Sequence, residues 1–242
     1  MKIAERLKMV RPSGIRKMFD LAQGIPGVIS LGIGQPDFKP PPHVIEAYKK
    51  ALEEGYCGYS PSAGYLELRK AIAERYENKY GLTYNPETEI CVTSGACEAL
   101  YTILQAYIDP GDEVLIPDPG FLYYERDVHL AHGKPIHIPL KEENEFKMNP
   151  DDIAEKITPK TKMIIINFPS NPTGSVMSRK QLKAICEIVE DHDIILVSDE
   201  VYEEFVYDGH KHVCLAEIAP REKTVIVNAV SKTYAATGFR IG

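Results

Sequence analysis

Ile194-Ile195-Leu196-Val197-Ser198-Asp199 decides the fold: four apolar residues in a row, then a hydroxyl and a carboxylate. A strand with one wet face alternates apolar and polar residues, whereas an unbroken apolar run of this length fits a strand covered on both faces. Lys162-Met163-Ile164-Ile165-Ile166-Asn167 repeats the pattern, again ending on a polar group. Strands are expected at Ile90–Thr93, Glu113–Ile116, Pro135–Pro139, Lys162–Asn167, Ile194–Ser198 and Thr224–Val230. Helical patterns lie between them at about 96–108, 120–132, 150–156 and 178–191. Alternating strands and helices with buried strands define a doubly wound α/β class with a mostly parallel sheet.

Polar or small groups close these runs: Thr93-Ser94-Gly95, Asp118, Asn167, Asp199 and Ser231-Lys232. The carboxyl ends of strands form the ligand crevice of an open parallel sheet, so five strand ends are expected to present candidate groups to one place. Asp199 is costly in an apolar strand unless a cation pairs with it, and a protonated pyridine nitrogen is one such cation. Tyr202 comes one helical turn later if Glu200-Val201-Tyr202 starts a helix.

The chain before this region is organised differently. A short amphipathic stretch spans Ile15 to Leu21, and a Gly/Pro-rich segment, Leu31-Gly32-Ile33-Gly34-Gln35-Pro36-Asp37, ends at Pro40-Pro41-Pro42. The triple proline reads as non-helical. A helix is expected from about His43 to Glu54 and another from about Leu66 to Tyr80, separated by a loop from Gly55 to Gly64.

The 242 residues carry 28 basic and 35 acidic side chains, a net charge of −7, which gives no ground for a nucleic-acid partner. No apolar run approaches the ~20 residues of a membrane span, and Met1-Lys2-Ile3-Ala4-Glu5-Arg6 has no apolar core of a signal. Five scattered cysteines without a CxxC pair, and His129-x-x-His132 and His210-x-His212 without a matching third ligand, point to a reduced, cytoplasmic, metal-free protein.

Three further stretches each have a bland reading. Ser94-Gly95-Ala96-Cys97 suits free N–H groups at a helix start meeting a phosphate, and equally a tight strand–helix turn. Asn171-Pro172-Thr173-Gly174 is by itself a turn. Ser231-Lys232-Thr233-Tyr234, with Arg240 eight residues past the lysine, suits a Schiff-base amine near a phosphate-gripping guanidinium, although most lysines are solvated charges.

Together, Gly32-Ile33-Gly34-Gln35-Pro36-Asp37-Phe38, Ala63-Gly64, Asn171-Pro172-Thr173-Gly174, Asp199-Glu200-Val201-Tyr202 and the terminal SKTYAATGFRIG resemble the class I/II pyridoxal-phosphate aminotransferases of fold type I, in their aspartate/aromatic branch. The resemblance covers essentially the whole chain. It implies pyridoxal 5′-phosphate as cofactor, with an amino acid (aspartate or aromatic) and a 2-oxo acid such as 2-oxoglutarate as substrates. It implies that Lys232 carries the Schiff base, that Asp199 pairs with the pyridine nitrogen, and that Tyr202 and Asn171 bond the ring hydroxyl. Phe121 would stack on the ring. Gly95, Ala96, Cys97 and Arg240 would hold the phosphate, and Tyr59 would reach the phosphate of a neighbouring subunit in a homodimer. Gly34, with Asn171, would border the substrate. The hydroxyl often found three residues before the lysine is Ala229 here, and Ser231 is its expected substitute.

By the same resemblance, residues 1–42 belong to a small domain and 43–242 to the large, cofactor-binding domain. A further strand, the rest of the small domain and a carboxylate-binding arginine would come from sequence beyond Gly242. The 242 residues alone are therefore expected to be inactive. The alternatives are a fragment that is not an enzyme, or another fold-type-I enzyme such as a β-lyase or decarboxylase.

Overall fold

Apolar runs that must hide on both faces set the centre of the molecule. The computed structural model describes residues 2–10, 14–23, 25–29, 31–32 and 34–242; Met1 and Ile33 of the sequence motifs above lie outside the described residues. In chain order the helices and strands are α1 (Gly14–Gln23), α2 (Pro42–Glu53), α3 (Leu66–Tyr80), α4 (Ala96–Tyr107), β1 (Glu113–Asp118), α5 (Tyr123–Leu130), β2 (Lys134–Pro139), α6 (Pro150–Ala154), β3 (Thr161–Asn167), α7 (Arg179–Glu190), β4 (Ile195–Asp199), β5 (Thr224–Val227) and α8 (Val230–Thr233).

The five strands form one sheet in the order β2-β1-β3-β4-β5, and every pairing is parallel. Successive side chains of a strand go to opposite faces, and two cores result. Leu115, Ile164, Ile166 and Leu196 pack with Leu182, Ile185 and Val189 of α7 and Ile153 of α6. Val114, Ile116, Met163, Ile165 and Val197 pack with Leu100 and Leu104 of α4 and Tyr124 and Val128 of α5. Helices thus cover both faces, as the continuous apolar runs require. Chain direction across the sheet reverses between β1 and β3, the switch point at which such folds open a crevice.

Several local expectations are corrected. Ile90–Thr93 forms no strand: Val92 N–H donates to Ala63 O (3.0 Å), and Thr93 exchanges two bonds with Gly242 (2.8 and 3.0 Å). These partners lie on separate segments, so no continuous ladder forms. The expected Thr224–Val230 strand stops at Val227, opposite Asp199, where its partner β4 ends and the chain turns away after Glu200 N–H has bonded Val227 O (2.8 Å); the Asn228 side chain then accepts from Ala229 N–H (2.7 Å) just before α8. The triple proline is also partly helical. Pro42 is the first residue of α2, where a missing N–H costs nothing. Ser178 closes a capping box with Gln181, which starts α7 one residue later than expected.

Candidate active site

The register of the sheet brings Asn167, Asp199 and Val227 into line at the carboxyl ends of β3, β4 and β5. Asp199 is buried, and among the described residues no cation lies within ion-pair distance of it. Burial pushes its carboxyl up to about 6, with the Glu200 charge adding to the rise. Tyr124 OH donates to its Oδ2 (2.7 Å) and Val201 N–H to its Oδ1 (3.3 Å), both opposing that rise. Asn167 donates to the Asp199 carbonyl (2.9 Å) and accepts from Asn171 N–H (2.8 Å), so one buried amide ties the Asn171 loop to the end of β4.

Tyr202 does not begin a helix. It sits in a turn in which Glu203 N–H donates to Glu200 O (3.0 Å) and Phe205 N–H to Tyr202 O (2.8 Å). Burial, with the nearby Asp199 charge, raises its phenol pKa. The amine of Lys232, in α8, lies 5.6 Å from the Tyr202 ring centroid and donates to the Gly34 carbonyl. A Cβ added at Gly34 would approach the Tyr202 hydroxyl to 3.8 Å. Lys232, Tyr202 and Gly34 therefore meet across nearly 200 residues of sequence. Burial lowers the pKa of the Lys232 amine, which is what a nucleophilic lysine needs.

A third group gathers at the start of α4. Gly95 has φ 79° and ψ 166°, a backbone region essentially reserved for glycine. Its own N–H is spent on Thr93 O (2.8 Å), which leaves the Ala96 and Cys97 N–H groups without an internal partner among the described residues. Arg240 overlies them, donating to Ser94 O (3.1 Å) and Thr237 O (2.9 Å). Two free N–H groups at a helix start under a guanidinium suit a dianionic phosphate. Burial raises the Cys97 thiol pKa, so this position adds no negative charge. Replacing Gly95 with alanine forces the backbone out of its region and brings a Cβ to 2.4 Å from Arg240 Nη2. We expect pyridoxal-phosphate affinity to fall about 10–100-fold, the equivalent of roughly 1–3 kcal/mol of strain, in a cofactor titration.

Phe121 packs against the core shared by α4 and α5, its ring centroid 5.6 Å from that of Tyr124. Ser231 is buried in α8 beside Lys232. One expected group falls elsewhere. Asp118 is exposed and faces His137 (3.7 Å) rather than the crevice. Tyr59, expected to serve a neighbouring subunit, is fully exposed and among the described residues has no hydrogen bond or ring contact with the other site residues.

Tyr124, which holds Asp199, is the site residue that sequence reasoning did not single out. Tyr123 and Tyr124 are adjacent, and only the phase of α5 puts the second under Asp199 while the first stacks with Arg126 (3.5 Å). The donor set fits pyridoxal phosphate on structural grounds: an uncompensated buried carboxylate for the ring nitrogen, a half-buried amine for the aldehyde, and a cation over free N–H groups for the phosphate.

The comparisons decide the family. The model of aminotransferase class I and II matches residues 26–242. The chain belongs to the class I and II aminotransferases. It is 47% identical to aromatic-amino-acid aminotransferase 2 of Thermococcus litoralis and 48% identical to aspartate aminotransferase of Pyrococcus abyssi, in each case over the whole of this chain and 62% of the relative. Its fold superposes on the aspartate aminotransferase of Thermus thermophilus with maleate at a TM-score of 0.94 and 38% identity, covering 100% of this chain and 64% of that one. The chain spans about 62% of the length of the curated aminotransferases it matches. Among the described residues, no helix of this family member is long and apolar enough to cross a membrane.

Proposed function

We propose that the full-length polypeptide is a pyridoxal-phosphate-dependent aminotransferase that moves an amino group from aspartate or an aromatic L-amino acid to a 2-oxo acid such as 2-oxoglutarate. The observation that carries this reading is the buried Asp199 carboxylate, held by Tyr124 and, among the described residues, facing no cation. Bound pyridoxal phosphate supplies an electron sink while its ring nitrogen stays protonated. Asp199 keeps that proton in place, because a buried carboxylate is stabilised by a positive partner. Lys232 is the amine that would hold the aldehyde, and the same nitrogen, when free, would carry a proton from the substrate Cα. Tyr202 and Asn171 donate to the ring oxygen, Phe121 covers the ring, and Gly34 borders the substrate carboxylate. Ala96, Cys97 and Arg240 hold the phosphate, with Gly95 shaping their approach and Ser231 supporting Lys232 from within α8.

Residues 1–42 belong in this reading to the small domain and 43–242 to the cofactor-binding domain. The exposed Tyr59 supports a homodimer in which it reaches the partner's phosphate. The five unpaired cysteines support a reducing, cytoplasmic setting. The test is an assay of the full-length protein with pyridoxal phosphate, using aspartate, phenylalanine and alanine against 2-oxoglutarate. Glutamate formation at about 10 per second with one of the first two is expected. Release of ammonia or carbon dioxide without glutamate would overturn it in favour of a lyase or decarboxylase.

A further inference from the structure

Glu203 follows Tyr202 directly, and its side chain is 2% exposed. A carboxylate this buried needs partners, and α3 supplies them from one face. Arg75 donates to Oε1 (2.6 Å), Lys79 to Oε2 (3.2 Å), and the Tyr80 hydroxyl also to Oε2. Arg75 and Lys79 also hold Glu204, at 2.8 and 2.6 Å, so two cations meet two carboxylates. Burial pushes the Glu203 carboxyl up, but Tyr80, Arg75 and Lys79 outweigh it and hold the group at about 2. Glu200 and His212 bring the ligand atoms of a potential cation site within 4.8 Å of those of Glu203. The carboxylate oxygens there already accept from protein donors, however, and the two cations Arg75 and Lys79 match Glu203 and Glu204.

Such a cluster is a poor way to gain stability alone, since apolar side chains of equal volume do as well or better. What it supplies is a fixed position, because charge-assisted bonds from three donors admit one arrangement of the carboxylate. Val201 N–H on Asp199 Oδ1 (3.3 Å) and Glu203 N–H on Glu200 O (3.0 Å) hold the turn that bears Glu203 from within, and the Glu203 side chain is what ties it to α3. The backbone of the turn is held by Glu200 N–H on Val227 O (2.8 Å) at one end and Phe205 N–H on Tyr202 O (2.8 Å) at the other. The phenol of Tyr202 meets Phe205 edge-on, 5.9 Å between centroids. Any shift at Glu203 passes directly to the adjoining Cα and so to the phenol.

We propose that Glu203 is a positioning residue, which sets the phenol of Tyr202 against the cofactor by anchoring its turn to Arg75, Lys79 and Tyr80 of α3. The proposal rests on the aminotransferase reading. It extends the site to a helix that touches no substrate. The cluster ties α3, which follows the loop bearing Tyr59, to the turn that carries Tyr202.

The test uses the full-length protein with pyridoxal phosphate and reads the pH midpoint of the visible absorbance of the bound cofactor. A donor on the ring oxygen competes for that oxygen with the neighbouring Schiff-base proton, so losing the donor moves the midpoint up. Tyr202→Phe is expected to raise it by about one pH unit, tenfold in proton affinity. Glu203→Gln, of the same shape but uncharged, is expected to raise it by about half as much and to add nothing in the Tyr202→Phe background. A midpoint unchanged in Glu203→Gln, or equal added shifts in the double variant, would overturn the positioning role. If Glu203→Gln does not fold, Arg75→Gln, which leaves Lys79 and Tyr80 on the carboxylate, is read in the same way. A parent protein that gives no cofactor band with pyridoxal phosphate brings down the aminotransferase reading itself, and a Tyr202→Phe variant with the parent's midpoint overturns only the route through the phenol.

Discussion

Replacing Lys232 with alanine is expected to lower transamination by the full-length protein about 10⁴-fold, the upper end of what a positioned proton carrier contributes, before the loss of the covalent anchor is counted. The structure explains why this lysine is suited to the task. Its amine donates to the Gly34 carbonyl and, among the described residues, lies within ion-pair distance of no carboxylate, whereas Lys134 and Lys162 are each paired with one and Lys79 with two. A half-buried amine without a counter-charge loses its proton more readily, and only the neutral amine attacks an aldehyde. The measurement is borohydride reduction of the cofactor-loaded protein followed by peptide mass mapping. The pyridoxyl group should be found on the peptide containing Lys232 and be missing from the alanine variant. Its appearance on another lysine would show the assignment to be mistaken.

Substitution of Asp199 should separate rate from cofactor retention. Asp199→Ala is expected to cost roughly 10²–10⁴ in rate, the equivalent of the ~3–5 kcal/mol lost when a buried charge is deprived of its partner. Cofactor affinity should fall far less, because Ala96, Cys97 and Arg240 are untouched. Near-normal turnover would mean that another group serves the ring nitrogen. The same carboxylate gives the cofactor-free protein a pH dependence. Folding raises its pKa from 3.8 to about 6, so between those values the folded chain keeps a proton that the unfolded chain has shed. The folded state is therefore favoured below pH 4 and loses about 3 kcal/mol from this group as pH rises through 6. In denaturant unfolding without cofactor, Asp199→Asn should not show this loss. With pyridoxal phosphate bound the order should reverse, since a protonated ring nitrogen favours the ionised carboxylate and the parent becomes the more stable at pH 7.

How far sequence reaches depends on whether a signal is local. Met163-Ile164-Ile165-Ile166 and Ile194-Ile195-Leu196-Val197 announce strands covered on both faces because alternation along a strand is a property of neighbouring residues. Asp199 declares itself for a similar reason, as a carboxylate at the end of such a run has no cheap local solution. By contrast, Ile90–Thr93 reads as a strand from its composition, yet whether it joins a ladder depends on what passes beside it, and its bonds go to Ala63 and Gly242. The segment after Val227 leaves the sheet because its partner strand β4 ends opposite it at Asp199, which the residues after Val227 do not themselves announce.

The candidate site divides along the same line. The sequence by itself determined which chemistry is available: a lysine after a buried strand, a carboxylate where only a cation suits it, small residues at a helix start and an arginine near the chain's last residues. Only the tertiary structure decided which groups support that chemistry. Tyr124 rather than Tyr123 reaches Asp199 because α5 enters at one phase, and Asn167 joins two loops because β3 and β4 pair in one register. Glu203 meets Arg75, Lys79 and Tyr80 across more than 120 residues. The physical reason is that a side chain's chemical type is carried by its own residue, whereas its partner is chosen by the packing of elements that the sequence keeps far apart.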